Sequence, residues 1–185
     1  MKSWIITLTL IIGWLAQPGF QAKAESLDAT AQAKVDKKIA VIQAWAADPV
    51  IVNAVKAQNA STPADYQTMT QDKWAQATIM DPLVRSLTKN EVGQFLKSKK
   101  DDVITEAFVS DANGLKVGFL SKTTNWSHKG KAKHEDPMAG KIWQGAVETD
   151  ASTGLIQVQI AVPIMDGGKA IGSMVVGLSV SKLDS

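Results

Sequence analysis

The chain contains no cysteine. Disulfides, thiolate metal sites and a lipid-bearing cysteine are thereby excluded, so the fold rests on its core alone. Net charge is also scarce, with 20 Lys and Arg against 18 Asp and Glu. Lys2 and Lys23 fall in the first 24 residues, which leaves 18 basic against 18 acidic side chains beyond them. A neutral chain lacks the broad basic stripe that nucleic acid requires. Serines are plentiful, but none sits in a Gly-x-Ser-x-Gly elbow. Gly167-Gly168 opens no helix and so cradles no phosphate. Glu106 and Asp111 read as strand-surface and turn residues. No catalytic residue, cofactor or metal is assigned.

Long apolar runs are confined to the start. Met1-Lys2 gives a positive end, and Trp4 to Ala16 is mostly apolar. About a dozen residues is short for a bilayer, which needs roughly 20. Pro18-Gly19 breaks any helix, and Ala22-Lys23-Ala24 places small side chains where a signal peptidase reads them. Residues 1–24 are therefore expected to be a cleaved signal peptide, and 25–185 an exported, periplasmic domain not embedded in the membrane. An uncleaved N-terminal anchor is the competing reading. Roughly 160 residues remain, one domain's worth.

Those residues change period along the chain. Leu27, Ala31, Val35, Ile39, Ile42 and Ala46 form one apolar stripe on a long amphipathic helix. Asp48-Pro49 starts a second helix to about Gln58, an N-cap followed by the proline a first turn accepts. Thr62-Pro63-Ala64-Asp65 and Asp81-Pro82 repeat that grammar, the last opening a helix through Leu83, Val84, Leu87 and Phe95. From residue 101 the period becomes two. Strands are expected at Val103–Ser110, Leu115–Ser121, Ile142–Glu148, Leu155–Ile164 and Ala170–Val180. Their turns are Asp111-Ala112-Asn113-Gly114, Asp150–Gly154 and Asp166-Gly167-Gly168. A long loop fills Lys122 to about Lys141. Strands joined mainly by tight turns pair antiparallel. The expectation is an α+β domain: a helical part over 25–100, and a five-stranded antiparallel sheet over 101–185 with the long first helix on its apolar face.

The segment FVSDANGLKVGFLSKT, the loop after it, and GAVETDASTGLIQVQIAVPIMDGGKAIGSMVVGLSVSKL together resemble the periplasmic Cache sensor domains, a PAS-like group also called PDC. DPVIVNAVKAQN fits the same group. The resemblance implies a long helix on one sheet face and a small-molecule pocket on the other. It also implies a membrane receptor or kinase as partner. The last strand runs almost to Ser185, so the form expected is a free-standing one. The loop TNWSHKGKAKHEDPMAGKIWQG departs from the aromatic and acidic stretch of many members, so their ligand residues do not transfer one by one.

That loop holds both histidines, and a compact domain seldom keeps so long a structureless segment without a use. Trp126 and Trp143 offer flat walls, and Lys131 and Lys133 offer charge for a carboxylate or phosphate. His128 and His134 lie between them, and Gln157 and Gln159 are polar residues on an otherwise apolar strand. These eight are the candidate ligand-binding residues, with the loop as a lid over the face opposite the long helix. Two other readings stay open. The tryptophans would simply pin a solvated loop, or the histidines, six apart and flanked by lysines, would hold a metal against the usual spacing. The function expected is non-catalytic binding of a small polar or anionic molecule, an amino acid or carboxylate first, presented to a membrane signalling partner. The alternative is a protein-interaction module without a small ligand.

N-terminal sequencing of the exported protein should read Glu25 first; a full-length chain in the membrane fraction would establish the anchor instead.

Overall fold

The computed structural model describes residues 27–149 and 154–183. The signal-peptide reading and most of the Asp150–Gly154 turn lie outside them.

Helix α1 spans Ala29–Ala46, with Asp28 accepting from the Ala31 amide at its N-cap. Its stripe is the expected one. Val35, Ile42 and Ala46 are buried, and Leu27, Ala31 and Ile39 pack half-buried beside them. Helix α2 spans Pro49–Ala60 behind its Asp48 cap. Short helices α3 (Ala64–Gln67) and α4 (Gln71–Gln76) follow. Helix α4 was not expected; Thr70 caps it and Trp74 buries its one apolar face.

The helix expected from Pro82 through Phe95 is two. Helix α5 (Pro82–Lys89) stops at Asn90, whose side chain accepts from the Gly93 amide and so begins α6 (Glu91–Lys99). Asp81 does not cap α5. It accepts from the Thr78 hydroxyl and amide, closing the turn before the helix.

The sheet has the order β2-β1-β5-β4-β3, antiparallel throughout: β1 Ile104–Asp111, β2 Lys116–Phe119, β3 Trp143–Thr149, β4 Ile156–Asp166 and β5 Lys169–Ser179. Gly167 and Gly168 both have positive φ in the two-residue turn between β4 and β5, the conformation such hairpins require. One face carries Ala107, Val109, Val158, Ile160, Val162, Met174, Val176 and Leu178, and α1, α2 and α6 close over it. The other carries Phe108, Ala161 and Val175, packed with Phe119, Trp126 and the α3–α5 residues Tyr66, Trp74, Val84 and Leu87.

The segment between β2 and β3 is not a structureless loop. It holds helix α7, Ala132–Met138. Strands β2 and β3 lie at opposite edges of the sheet, so the chain between them must cross it. It does so on the face opposite α1, with α7 over β3, β4 and β5. Among the described residues no single helix is long and apolar enough to cross a membrane.

Replacing Ile42 by Ala should cost about 2–5 kcal/mol in denaturant unfolding. Ile39→Ala should cost less, because its side chain is only half-buried, and Lys37→Ala should change little.

Candidate functional site

The crossing segment is fastened at both ends. Leaving β2, its Trp74-facing turn receives the Trp74 indole N–H at the Thr123 carbonyl, 2.7 Å. Ser127 then bridges Leu115, and the His128 amide donates to the Gly114 carbonyl at 2.9 Å. Gly114 has a φ of 74°, and the Lys129 backbone passes so close that a β-carbon would collide with it. Glycine here serves both the turn and the approach of the strap.

Between strap and sheet lies a cavity of about 200 Å³. Phe108 and Glu106 from β1, Gln159 from β4, Glu148 and Thr149 from β3, Lys133 from α7, and His128 with Thr123 to Asn125 from the strap line it. A larger hollow of about 470 Å³ among α3, α4 and α5 has no buried polar side chain on its walls.

The polar floor is a ladder across three strands. Lys133 Nζ donates to Gln159 Oε1 at 2.5 Å. Gln159 and Gln157 both donate through Nε2 to Glu106 Oε1, Gln157 at 3.1 Å. The Thr105 hydroxyl donates to Gln157 Oε1. These side chains lie over Gly177 of β5, where a β-carbon would meet Thr105, Gln157 and Glu106 at once. Both glutamines are almost fully buried, so their amides need these partners.

Behind the cavity wall sits Lys116, on β2 and fully buried. Its Nζ lies 4.1 Å from the centre of the Phe108 ring and donates to His128 Nδ1. The His128 imidazole in turn stacks on Phe108, centroids 4.6 Å apart. With Nδ1 accepting, the ring's own proton resides on Nε2. Burial first, and the Lys133 charge second, hold the Lys116 amine well below the usual ammonium range. Burial, with Lys116 and Lys133 adding to it, pushes His128 down to about 2. His134 is also lowered by burial. Its Nδ1 meets Ser173 Oγ at 2.8 Å, and it is hydrogen-bonded to the Ala112 backbone. Nearby, Asp111 is fully buried and accepts from Gln58 Nε2 and from the Asn113 and Leu115 amides. The fully buried Ser110 hydroxyl has no hydrogen-bond partner among the described residues.

Of the eight residues singled out in the sequence, His128, Lys133 and Gln159 line the cavity. Gln157 stands one position along the ladder. His134 is spent on packing α7 to β5. Trp143 is half-buried, with Lys133 Nζ 6.0 Å from its ring centre and Gly145 leaving room for the indole. Trp126 is a core residue, edge-on to Tyr66 at 4.8 Å and beside Trp74 at 5.0 Å, and lines no part of the cavity. It pins the strap. Lys131 is exposed at the start of α7. Among the described residues no three His, Asp or Glu side chains come together to hold a metal. Sequence reasoning missed Glu106, Phe108 and Lys116. The period-two pattern of β1 does put Glu106 and Phe108 on one face, but says nothing of a lysine turned inward.

Both imidazoles are held neutral by the fold, with pKa values below the unfolded value of about 6.5. On acidification the unfolded chain takes up protons first. The stability they contribute is therefore complete above about pH 6.5 and is lost as pH falls. Urea unfolding between pH 8 and 5.5 should show this decline, approaching about 1.4 kcal/mol per pH unit for each histidine at its steepest. His128→Gln and His134→Gln should each flatten it; an unchanged slope in both would show that the rings are not buried neutral.

No family model matches the chain, and no curated protein does. Solved structures do. The ligand-binding domain of the Campylobacter jejuni chemoreceptor Tlp3, in complex with 4-methylisoleucine, is 14% identical with a TM-score of 0.42, over 83% of this chain and 56% of that one. The ligand-binding domain of the Pseudomonas aeruginosa amino acid chemoreceptor PctC, with GABA, is 13% identical with a TM-score of 0.45, over 84% and 57%. The chain thus spans a little over half the length of these two domains. The Escherichia coli DcuS sensor domain is 18% identical with a TM-score of 0.47, over 84% of this chain and 96% of that one. All three are sensor domains of the Cache type, the group that the sequence resembles.

Proposed function

We propose that this protein is an exported, periplasmic small-molecule-binding sensor domain, without catalysis, that presents an anionic ligand to a membrane signalling partner. The observation that carries the reading is the cavity under the strap. Lys133 reaches it as a cation whose visible partner is a neutral glutamine. An incoming carboxylate would replace a neutral acceptor by a charged one, which strengthens the contact. Glu106 stands across the same floor, so a molecule carrying both a carboxylate and an ammonium also finds complementary charges. The volume admits a compact ligand such as a small amino acid or carboxylate, and the comparisons with amino-acid-binding domains point the same way.

One observation favours the alternative of a docking module. Ile79 and Met80 are about three-quarters and two-thirds exposed, side by side in the turn before α5. Such a pair is a foothold for a protein partner.

A melting-temperature screen of amino acids and carboxylates, with mass spectrometry of whatever co-purifies, separates the two. The cavity reading expects a saturable shift, reduced about tenfold in affinity by Lys133→Ala and less by Gln159→Ala. No shift with any compound, together with loss of a partner on Ile79→Ser and Met80→Ser, would establish the docking module.

A further inference from the structure

Lys116 has no part in the ladder that floors the cavity, yet among the described residues it is the most deeply buried lysine. Burying a lysine is costly unless it is paired. Among the described residues no carboxylate lies within ion-pair distance of its Nζ. Its neighbours are the face of Phe108 and the Nδ1 of His128. Both of these rings also line the cavity, so the amine stands one ring's thickness behind the wall. His128 belongs to the strap rather than to the sheet, held there by its amide and by stacking. The His128 imidazole, contributed by the strap, therefore stands between the cavity and Nζ.

We propose that Lys116 is a carbonyl-capturing residue, which condenses reversibly with a small 2-oxo acid held in the cavity. This rests on the small-molecule reading above and adds to it a covalent step. An apolar surround and a second cation nearby are the two conditions that keep a lysine amine unprotonated and nucleophilic. Phe108 supplies the first and Lys133 the second. The carboxylate of the acid meets Lys133 at the cavity floor, which turns the adjoining carbonyl carbon toward Lys116. The amine lone pair adds to that carbon, and the carbonyl oxygen takes up a proton to give a carbinolamine. The hydroxyl then leaves as water while the carbon–nitrogen double bond forms. Both amine hydrogens depart with the oxygen, and His128 is placed to relay them because it already accepts from Nζ. No oxidant or reductant is consumed, and hydrolysis returns the free lysine.

The experiment incubates the full mature protein with pyruvate or glyoxylate, adds borohydride, and maps the reduced adducts by peptide mass spectrometry. Melting-temperature shifts with the same acids, without borohydride, run in parallel. The expected result is an adduct on Lys116 at least about tenfold more occupied than on any exposed lysine. Lys133→Ala should lower that occupancy, and Lys116→Met should abolish it. Adducts only on exposed lysines, with Lys116 untouched, would overturn the capture. If the acids still raise the melting temperature in that case, non-covalent binding stands and only the covalent step falls. If they do not, binding of 2-oxo acids falls with it. The site map of the unsubstituted protein decides the matter even if Lys116→Met fails to fold.

Discussion

Strand β5 has no face left for water, and most of the structure answers to that. It is hydrogen-bonded to β1 on one side and β4 on the other, and from Gly172 to Ser179 every residue is buried. Its backbone groups are satisfied by the two ladders. Its side chains then divide the domain: Met174, Val176 and Leu178 toward α1 and α2, and Ser173, Val175 and Gly177 toward the strap. The first set is large and apolar, and makes an oily layer that helices can close without further conditions. The second is small or polar, and can be buried only if something brings partners to it.

Those partners come from elsewhere in the chain. His134 reaches Ser173 from α7, and the glutamine–glutamate ladder lies over Gly177 because that residue has no side chain. A cavity persists where the polar groups of β1, β4 and α7 face one another without filling the space. Buried polar layers of this kind hold a domain together poorly unless every member is paired. Among the described residues the Ser110 hydroxyl has no partner and Lys116 no carboxylate at ion-pair distance, features that stability alone does not explain.

Much of this architecture was legible beforehand, because periodicity reports burial directly. The stripe from Leu27 to Ala46 predicted α1 to within two residues, and the alternation after residue 101 predicted all five strands. Caps were read less evenly. Asp48 behaves as expected, whereas Asp81 turns back to Thr78, a local competition between equally good hydrogen bonds that no pattern resolves. Asn90 split a helix because its side chain caps as readily as it continues. Trp126 was placed at a pocket wall, but a tryptophan at a loop end satisfies the same pattern when it is buried among Tyr66 and Trp74.

By itself the sequence determined the first two helices, the five strands and their order, the neutral charge and the cysteine-free core, since these follow from composition and from neighbours a few residues apart. Only the tertiary structure decided what those elements enclose. The strap crosses the sheet because β2 and β3 end up at opposite edges, a consequence of strand order that local pattern does not carry. That crossing sets His128 against Lys116 and Lys133 against Gln159, pairs separated by 12 and 26 positions along the chain. Whether a lysine on a strand points to water or into the core depends on what covers that strand. Here the cover is the strap, which meets that strand only because it crosses the sheet from edge to edge.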